Sequence, residues 1–199
     1  MSFFTISLTI LFGLVVVLNM VFTFSWNTAL WLLLCFVVVM LPSAVFWLGG
    51  RPIFKKCFRQ DSKIFLVNKF EEFVCKITNV KSWKDKIPVG AKVAGAKMDK
   101  LADPKSVEYL DGYIFESCFA EYLHLTIFFW CFVCIAFCWL LIPIWVYLRM
   151  VLPIALIFAY QNIMSVIIQW YMRPRIVKYR DMLKKREERL NAKENNIQE

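Results

Sequence analysis

Four polar residues lie together where a mixed segment of the chain becomes strongly apolar. They are Glu116, Ser117, Glu121 and His124, and the uncharged residues 125–148 follow directly. His124 is the single histidine among the 199 residues. An imidazole titrates near neutral pH, and carboxylates beside it can orient the ring or stabilise its charged form. This set of residue types predicts proton transfer on a substrate that lies in a membrane.

The spacing of these residues suits one side of a helix. At about 100° per residue, Ser117, Glu121 and His124 fall on a single stripe. Glu116 lies about 80° from His124 around the axis, so it can face the same cleft. His124 is therefore the predicted general base, with Glu121 or Glu116 orienting its ring. Helical serines commonly donate to their own backbone, so Ser117 is not the expected nucleophile. It is given a supporting role, in contact with the substrate. A metal held by these carboxylates and the imidazole is a weaker alternative.

The composition of the chain is typical of a membrane protein, whose helices would position the polar cluster. The chain is 60% hydrophobic, and its mean hydropathy of +0.57 exceeds that typical of soluble domains. Four uncharged segments are each long enough for a membrane-spanning helix of about 20 residues. The sequence therefore predicts an all-α membrane protein with four transmembrane helices. A cleaved signal peptide is the less favoured explanation of the first segment, because no basic residue precedes it. The four segments are residues 3–24, 27–48, 125–148 and 150–172.

The basic residues predict how the chain is oriented in the membrane. Of the 24 Lys and Arg, 14 lie in residues 51–122 and nine in residues 173–199. Positive charge marks the cytoplasmic side, so both termini and the central segment are expected there, in a multi-pass protein of the cell membrane. Basic flanks of this kind meet anionic lipid, and we predict no nucleic-acid partner. The predicted units are a transmembrane hairpin (1–50), a cytoplasmic or interfacial, partly helical segment (51–122), a second transmembrane hairpin (123–175) and a charged cytoplasmic tail (176–199).

The cysteines do not predict a disulfide framework or a metal centre. Cys131, Cys134 and Cys138 have a loosely metal-like spacing, but they lie in an apolar segment without a charged or imidazole partner. Buried thiols of this kind behave as small hydrophobes. We therefore expect no metal and no resident cofactor.

The central segment carries an amphipathic helix and a basic loop. Residues 61–80 have apolar positions at helical spacing, which suits either packing on the bundle or a place in the membrane interface. Asp103 as N-cap and Pro104 at the first position predict the start of the helix that carries the polar cluster.

Pro and Gly residues mark residues 81–91 as a loop. The loop holds Lys81, Trp83, Lys84 and Asp85. It is either a solvated loop with an interfacial tryptophan or a cradle for a phosphate-bearing group.

The last apolar segment contains two amides on one face, Asn162 and Gln169, and it ends near Tyr171 and Arg173. Polar groups inside a membrane face the interior of a bundle, where helix-to-helix hydrogen bonds are also common. Because consecutive spans run antiparallel, this end is expected to meet His124. Asn162, Gln169 or Arg173 can then donate to developing charge.

Three blocks of residues, in this order, resemble one known family. They cover much of residues 75–176. The resemblance is to the glycosyl-4,4'-diaponeurosporenoate acyltransferases of staphyloxanthin-type carotenoid synthesis. The blocks are Lys81-Ser82-Trp83-Lys84-Asp85-Lys86-Ile87-Pro88, Glu116-Ser117 with Glu121 and His124, and Asn162 with Gln169-Trp170-Tyr171-Met172-Arg173-Pro174-Arg175.

The resemblance implies transfer of a fatty acyl group to a sugar hydroxyl of a glycosylated carotenoid at the cytoplasmic membrane. The resemblance also supports Trp83, Lys84 and Asp85 as site residues, together with Glu116, Glu121 and His124. The donor is expected to be acyl-CoA, with its phosphates at Lys81, Lys84 and Lys86. Trp170 and Met172 stand where the family usually has Arg and Asn, so another amphiphile stays open as acceptor.

The predicted partners are a lipid-like acceptor, an acyl donor and the membrane; the sequence does not fix the oligomeric state. The alternative function is a non-catalytic scaffold or partner subunit that uses the basic cytoplasmic region. A transporter ranks last, because the only polar groups deep in the spans, Asn162 and Gln169, are uncharged.

Overall fold

A computed structural model describes residues 3–22, 26–57, 65, 68–84 and 103–198. Every secondary-structure element assigned in these ranges is a helix, which confirms the all-α prediction. The longest elements are α1, α2, α5 and α7. In chain order the elements are α1 (Phe3–Phe22), α2 (Trp26–Cys57), α3 (Lys69–Ile77), α4 (Val80–Trp83), α5 (Val107–Leu141), α6 (Ile144–Val146), a π-helical turn (Tyr147–Val151) and α7 (Leu152–Gln198).

Two stretches of the described chain are long and apolar enough to cross a membrane. They are Val107–Leu141 and Ile144–Lys193. Shorter apolar helical stretches cover Ile10–Asn19 and Trp26–Val39. Two helices could therefore span a membrane, judged by length and composition alone, and the four predicted spans stay a prediction.

The centre of the molecule is an antiparallel hairpin of α5 and α7. Pro143 begins the tight connection, and the Tyr147 hydroxyl donates to the carbonyl of Ile135 at 2.8 Å. The earlier helices pack against this hairpin. The Trp130 indole donates to the Val38 carbonyl of α2 at 3.0 Å. This packing holds α5 and α7 side by side along the segment that carries the polar residues.

The helix that carries the polar cluster begins later than the sequence predicted. Its N-cap is Ser106, whose hydroxyl accepts a hydrogen bond from the Tyr109 amide at 3.1 Å. Asp103 and Pro104 instead open a turn, in which the Asp103 carboxylate accepts from the Lys105 amide at 3.3 Å. Both sites offer an oxygen for capping, and the structure uses the serine. The placement of the helix start at Pro104 was therefore wrong by three residues.

Helices α3 and α4 replace part of the predicted helix and loop. Asn68 caps α3 in a capping box with Glu71, so this helix is shorter than the predicted 61–80. Asn79, with φ of 46°, makes the left-handed turn into α4, a conformation that asparagine tolerates. Lys81 and Trp83 therefore lie on a short helix and not in a loop. Asp85 and the rest of the predicted loop lie outside the described residues.

Helix α7 is continuous through Pro174 to Gln198. The predicted charged tail therefore begins as an extension of the membrane-compatible helix. Its first turns are also packed: Arg180 is buried and donates to Asp111 of α5 at 2.8 Å, and Lys184 donates to the same carboxylate at 3.1 Å. The charged tail predicted for residues 176–199 is thus packed against α5 in the turns around Arg180.

Candidate functional site

Polar side chains from α5 and α7 meet in three layers. The Ser117 hydroxyl donates to Oε1 of Gln169 at 2.6 Å. Nδ1 of His124 lies 2.7 Å from Oδ1 of Asn162. Glu121, which lies between Ser117 and His124 on α5, forms the third layer with Trp170 and Arg173, which follow Gln169 on α7. The predicted convergence of the two helix ends is confirmed by these contacts.

The contact between His124 and Asn162 sets the proton arrangement of the imidazole. Nδ2 of Asn162 donates to the Phe158 carbonyl at 2.7 Å, and a carbonyl can only accept. This bond turns Oδ1 of Asn162 towards His124. Since Oδ1 can also only accept, Nδ1 of His124 must carry the hydrogen. In the neutral ring, Nε2 then holds the lone pair, which is the state required of a base.

Glu121 has different partners from those predicted. Its carboxylate forms a buried ion pair with Arg173 and accepts a hydrogen bond from the Trp170 indole at 2.8 Å. The contact that orients the His124 ring comes from Asn162. The predicted orienting role of Glu121 is therefore filled by an amide on α7. Glu121 instead stabilises a guanidinium that would otherwise be buried without a counter-charge.

Arg173 has one donor group that is not used. Its side chain is 3% exposed, and among the described residues its Nη2 atom has no hydrogen-bond partner. The guanidinium also lies over the ring of Phe65, 5.5 Å from its centroid. A buried N–H without an acceptor is costly. This group is therefore suited to an oxygen atom brought by a substrate.

A further carboxylate, Glu71 of α3, lies near this ion pair and was not predicted from the sequence. Its side chain is buried, and it accepts from the Asn68 amide at 3.1 Å. Burial raises the pKa of Glu71; the Asn68 amide opposes this, the charge of Glu121 adds to it, and Arg173 again opposes it. The pattern Asn68-x-x-Glu71 was a capping signal in the sequence, but nothing local indicated that the carboxylate is buried close enough to Arg173 and Glu121 for their charges to affect its pKa.

The other predicted residues differ in their exposure and in the contacts that they make. Glu116 is half-buried on α5. Tyr171 stacks beneath Arg175, whose guanidinium carbon is 3.7 Å from the ring centroid. The Trp83 indole donates to the Thr78 carbonyl at 2.7 Å, which anchors α4 to the end of α3. Lys81 is exposed and Lys84 is half-buried beside it.

An aromatic group lies beside the polar layers. The ring of Phe54 from α2 is buried and lies 5.4 Å from Phe119 and 5.5 Å from Tyr122 of α5, centroid to centroid. It also meets Phe65, the ring beneath Arg173, at 5.6 Å. The site therefore combines a hydrogen-bonded imidazole and a buried cation with an apolar wall.

No three side chains of His, Cys, Asp or Glu come together as metal ligands in the described part of the chain. The alternative of a metal at Glu116, Glu121 and His124 gains no support from these residues. The described side chains can transfer a proton and donate hydrogen bonds.

Comparison with known proteins gives one family. The model of a family described as glycosyl-4,4'-diaponeurosporenoate acyltransferase matches residues 61–182. The matched range is more than half of the chain and contains α3, α4, α5 and all three polar layers. No curated protein and no solved structure matches the sequence.

Proposed function

We propose a reaction for this chain from the premise that it belongs to the glycosyl-4,4'-diaponeurosporenoate acyltransferase family and is an acyltransferase. In this proposal a fatty acyl group passes from a thioester donor, acyl-CoA, to a hydroxyl of a membrane-embedded amphiphile. The acceptor is the sugar of a glycosylated carotenoid, as the family description indicates. The observation that carries the chemistry is the hydrogen bond between His124 and Asn162, which leaves a ring nitrogen with a lone pair.

The proposed first step is removal of a proton from the acceptor hydroxyl by Nε2 of His124. The hydroxyl oxygen forms a bond to the thioester carbonyl as its proton moves to Nε2. The imidazole becomes positively charged, and the hydrogen bond from Nδ1 to Asn162 becomes stronger as its donor acquires charge. When the tetrahedral intermediate collapses, the carbon–sulfur bond breaks. The proton on Nε2 then goes to the departing thiolate, so the histidine returns to its neutral state.

The carbonyl oxygen of the donor gains negative charge in this reaction and needs hydrogen-bond donors. Nη2 of Arg173 is a buried donor without a partner in the described residues, which supports its use for this oxygen. The amide nitrogen of Gln169 is a second candidate, because the Ser117 hydroxyl already occupies its Oε1 atom. Glu121 fixes the guanidinium through Nη1 and so leaves Nη2 for this contact.

The proposed arrangement in the membrane is four spans with both termini in the cytoplasm. Helix α1 has 20 residues and would extend about 30 Å, the thickness of the hydrocarbon core. Helix α2 has 32 residues, and its first part is uncharged. With α5 and α7, these helices account for the four apolar segments. The polar layers then lie at the inner leaflet, where a soluble donor and a membrane-bound acceptor can meet.

The test of the reaction is mass spectrometry of lipids and pigments from cells that carry the wild type or His124→Ala. We expect the acylated product to disappear in the variant and its hydroxyl precursor to accumulate. Gln161→Ala is the matched control, because Gln161 is exposed on the turn next to Asn162. An unchanged product pattern in His124→Ala cells would falsify the role of this residue.

The donor site is tested separately with purified protein. Lys84→Ala is expected to raise the KM for acyl-CoA while leaving the KM for the acceptor unchanged, because an ammonium group pairs with phosphate charge. Glu72→Gln, an exposed change on the neighbouring helix α3, serves as the control. Equal donor dependence in wild type and Lys84→Ala would exclude this lysine from the donor site.

A further inference from the structure

Helix α3 has three different sides. At about 100° per residue, the side chains of Phe70, Phe73 and Ile77 fall within an arc of about 60°. All three are largely exposed, at 65%, 58% and 67%. Glu71, which is buried, lies about 130° from the centre of this arc, and the half-buried Val74 lies between them. A helix in water would not gain stability by exposing such an apolar stripe.

The charged residues of α3 form the third side. Lys69, Glu72 and Lys76 fall within a second arc of about 60°, and all three are exposed. This arc lies about 100° from the apolar arc. The helix therefore presents one side to the bundle, one side of apolar rings and one side of mostly positive charge. Amphipathic helices that lie in a membrane interface have the last two features together.

The height of α3 along α7 agrees with this arrangement. Sγ of Cys75 lies 3.8 Å from the carbonyl oxygen of Ile167. Ile167 is five residues before Met172, the last residue of the uncharged segment. At 1.5 Å per residue, this contact lies about 7.5 Å inside the end of that segment. Interfacial helices bury their apolar face by about 5–10 Å.

We propose that α3 lies in the inner leaflet of the bilayer and inserts Phe70, Phe73 and Ile77 among the lipid acyl chains, with Lys69 and Lys76 at the lipid phosphates. The proposal rests on the membrane arrangement put forward for α7. It deepens the proposed function, because another side of the same helix carries the buried Glu71, which is close enough to Arg173 and Glu121 for their charges to affect its pKa. The helix then forms a boundary between the lipid and the polar layers.

The experiment uses the full chain in lipid nanodiscs with a genetically encoded coumarin side chain at one position. The discs contain phosphatidylglycerol with either ordinary or brominated acyl chains, and bromine quenches only nearby fluorophores. The probe is placed at position 73, at position 70 as a second site, and at position 72 as the control on the charged side of the helix. A fourth probe replaces Leu156, which is 50% exposed on the apolar part of α7.

We expect brominated lipid to quench positions 70, 73 and 156 to a similar extent and position 72 several times less. Quenching at 156 without quenching at 70 and 73 would overturn the placement of α3 while leaving the spanning helices intact. Absence of quenching at 156 would overturn the membrane arrangement and the placement of α3 with it. Emission at 73 that ignores bromine but changes when a disc holds two copies would assign the apolar side to a protein partner. None of these readings depends on acyl transfer.

Discussion

The side chains of His124 and Asn162 join α5 to α7, with 2.7 Å between Nδ1 and Oδ1. The amide of Asn162 is fixed in turn by its bond to the Phe158 carbonyl. The orientation of the imidazole therefore depends on how two helices pack, because its partner lies 38 residues away in the chain. Changes on α7 are expected to affect the histidine without touching α5.

Replacing Asn162 by leucine tests this relationship. Leucine has a similar size but cannot accept from Nδ1, so the ring loses its fixed proton arrangement. We expect kcat to fall by about 10²-fold to 10⁴-fold, the usual contribution of a positioned base. Steady-state kinetics with donor and acceptor varied separately gives the result, and the KM for acyl-CoA should change little. Full activity in Asn162→Leu, measured beside Gln161→Ala, would mean that the amide does not position the base.

The ion pair of Glu121 and Arg173, which holds the proposed oxyanion donor, is also expected to affect stability. Glu121→Leu leaves a buried guanidinium without a counter-charge, which costs about 3–5 kcal/mol. The double variant Glu121→Leu with Arg173→Met removes both charges and should recover much of this loss. Thermal unfolding of the purified proteins in one detergent measures both effects. If Arg173→Met lowers the stability of Glu121→Leu by as much as it lowers that of the wild type, the two residues act independently.

Ser117 is expected to hold Gln169 rather than to carry the acyl group. Its hydroxyl hydrogen points at Oε1 of Gln169 over 2.6 Å, so Ser117→Ala leaves a buried acceptor without a donor. The expected cost is about 1–3 kcal/mol of unfolding free energy, with acyl transfer retained. Intact-protein mass spectrometry after mixing with acyl-CoA provides the decisive reading. An acylated wild-type protein, absent in Ser117→Ala, would instead make this serine a nucleophile.

The contacts of Asp111 predict a dependence of stability on pH. Burial raises the pKa of Asp111, but the hydrogen bonds from Arg180 and Lys184 outweigh it and lower the pKa overall. A lowered carboxyl pKa adds stability above the unfolded value of about 4, and this stability is lost as the pH falls through the folded value. The pair is partly exposed, so we expect about 1 kcal/mol or less.

Unfolding of wild type and Asp111→Asn across pH 3 to 8 checks this expectation, with roughly pH 4 as the turning point. The difference in stability between the two proteins should be constant above that pH and should shrink below it. A difference that stays the same down to the lowest pH would show that the charge of Asp111 is not the cause. Asp103→Asn, at an exposed turn, is the matched control.

Much of the site could be predicted because a helix repeats every 3.6 residues. Ser117, Glu121 and His124 had to share one side of α5, and a hairpin had to bring Asn162 and Gln169 opposite them. The pairing within the cluster could not be predicted. Whether His124 meets Glu121 or Asn162 depends on the rotation and height of α7 against α5, which packing of the whole bundle decides.

The wrong helix start and the unpredicted Glu71 have the same cause, because both depend on packing between elements. Asp103 and Ser106 are both good caps, and the choice between them depends on where Leu110 and Ile114 must pack. Glu71 had a clear local role in the capping box, and its burial depends on where α3 docks. Charged residues on a short amphipathic helix usually face water, so periodicity gave no reason to place this one inside.

Helix α7 places Asn162, Gln169 and Arg173 on a single rod of 47 residues, about 70 Å long. Their counterparts on α5 share another rod. Sliding one rod past the other by a single turn, about 5.4 Å, would separate all three pairs simultaneously. The site is consequently assembled or dismantled as a unit, because its three α7 residues all belong to one continuous helix.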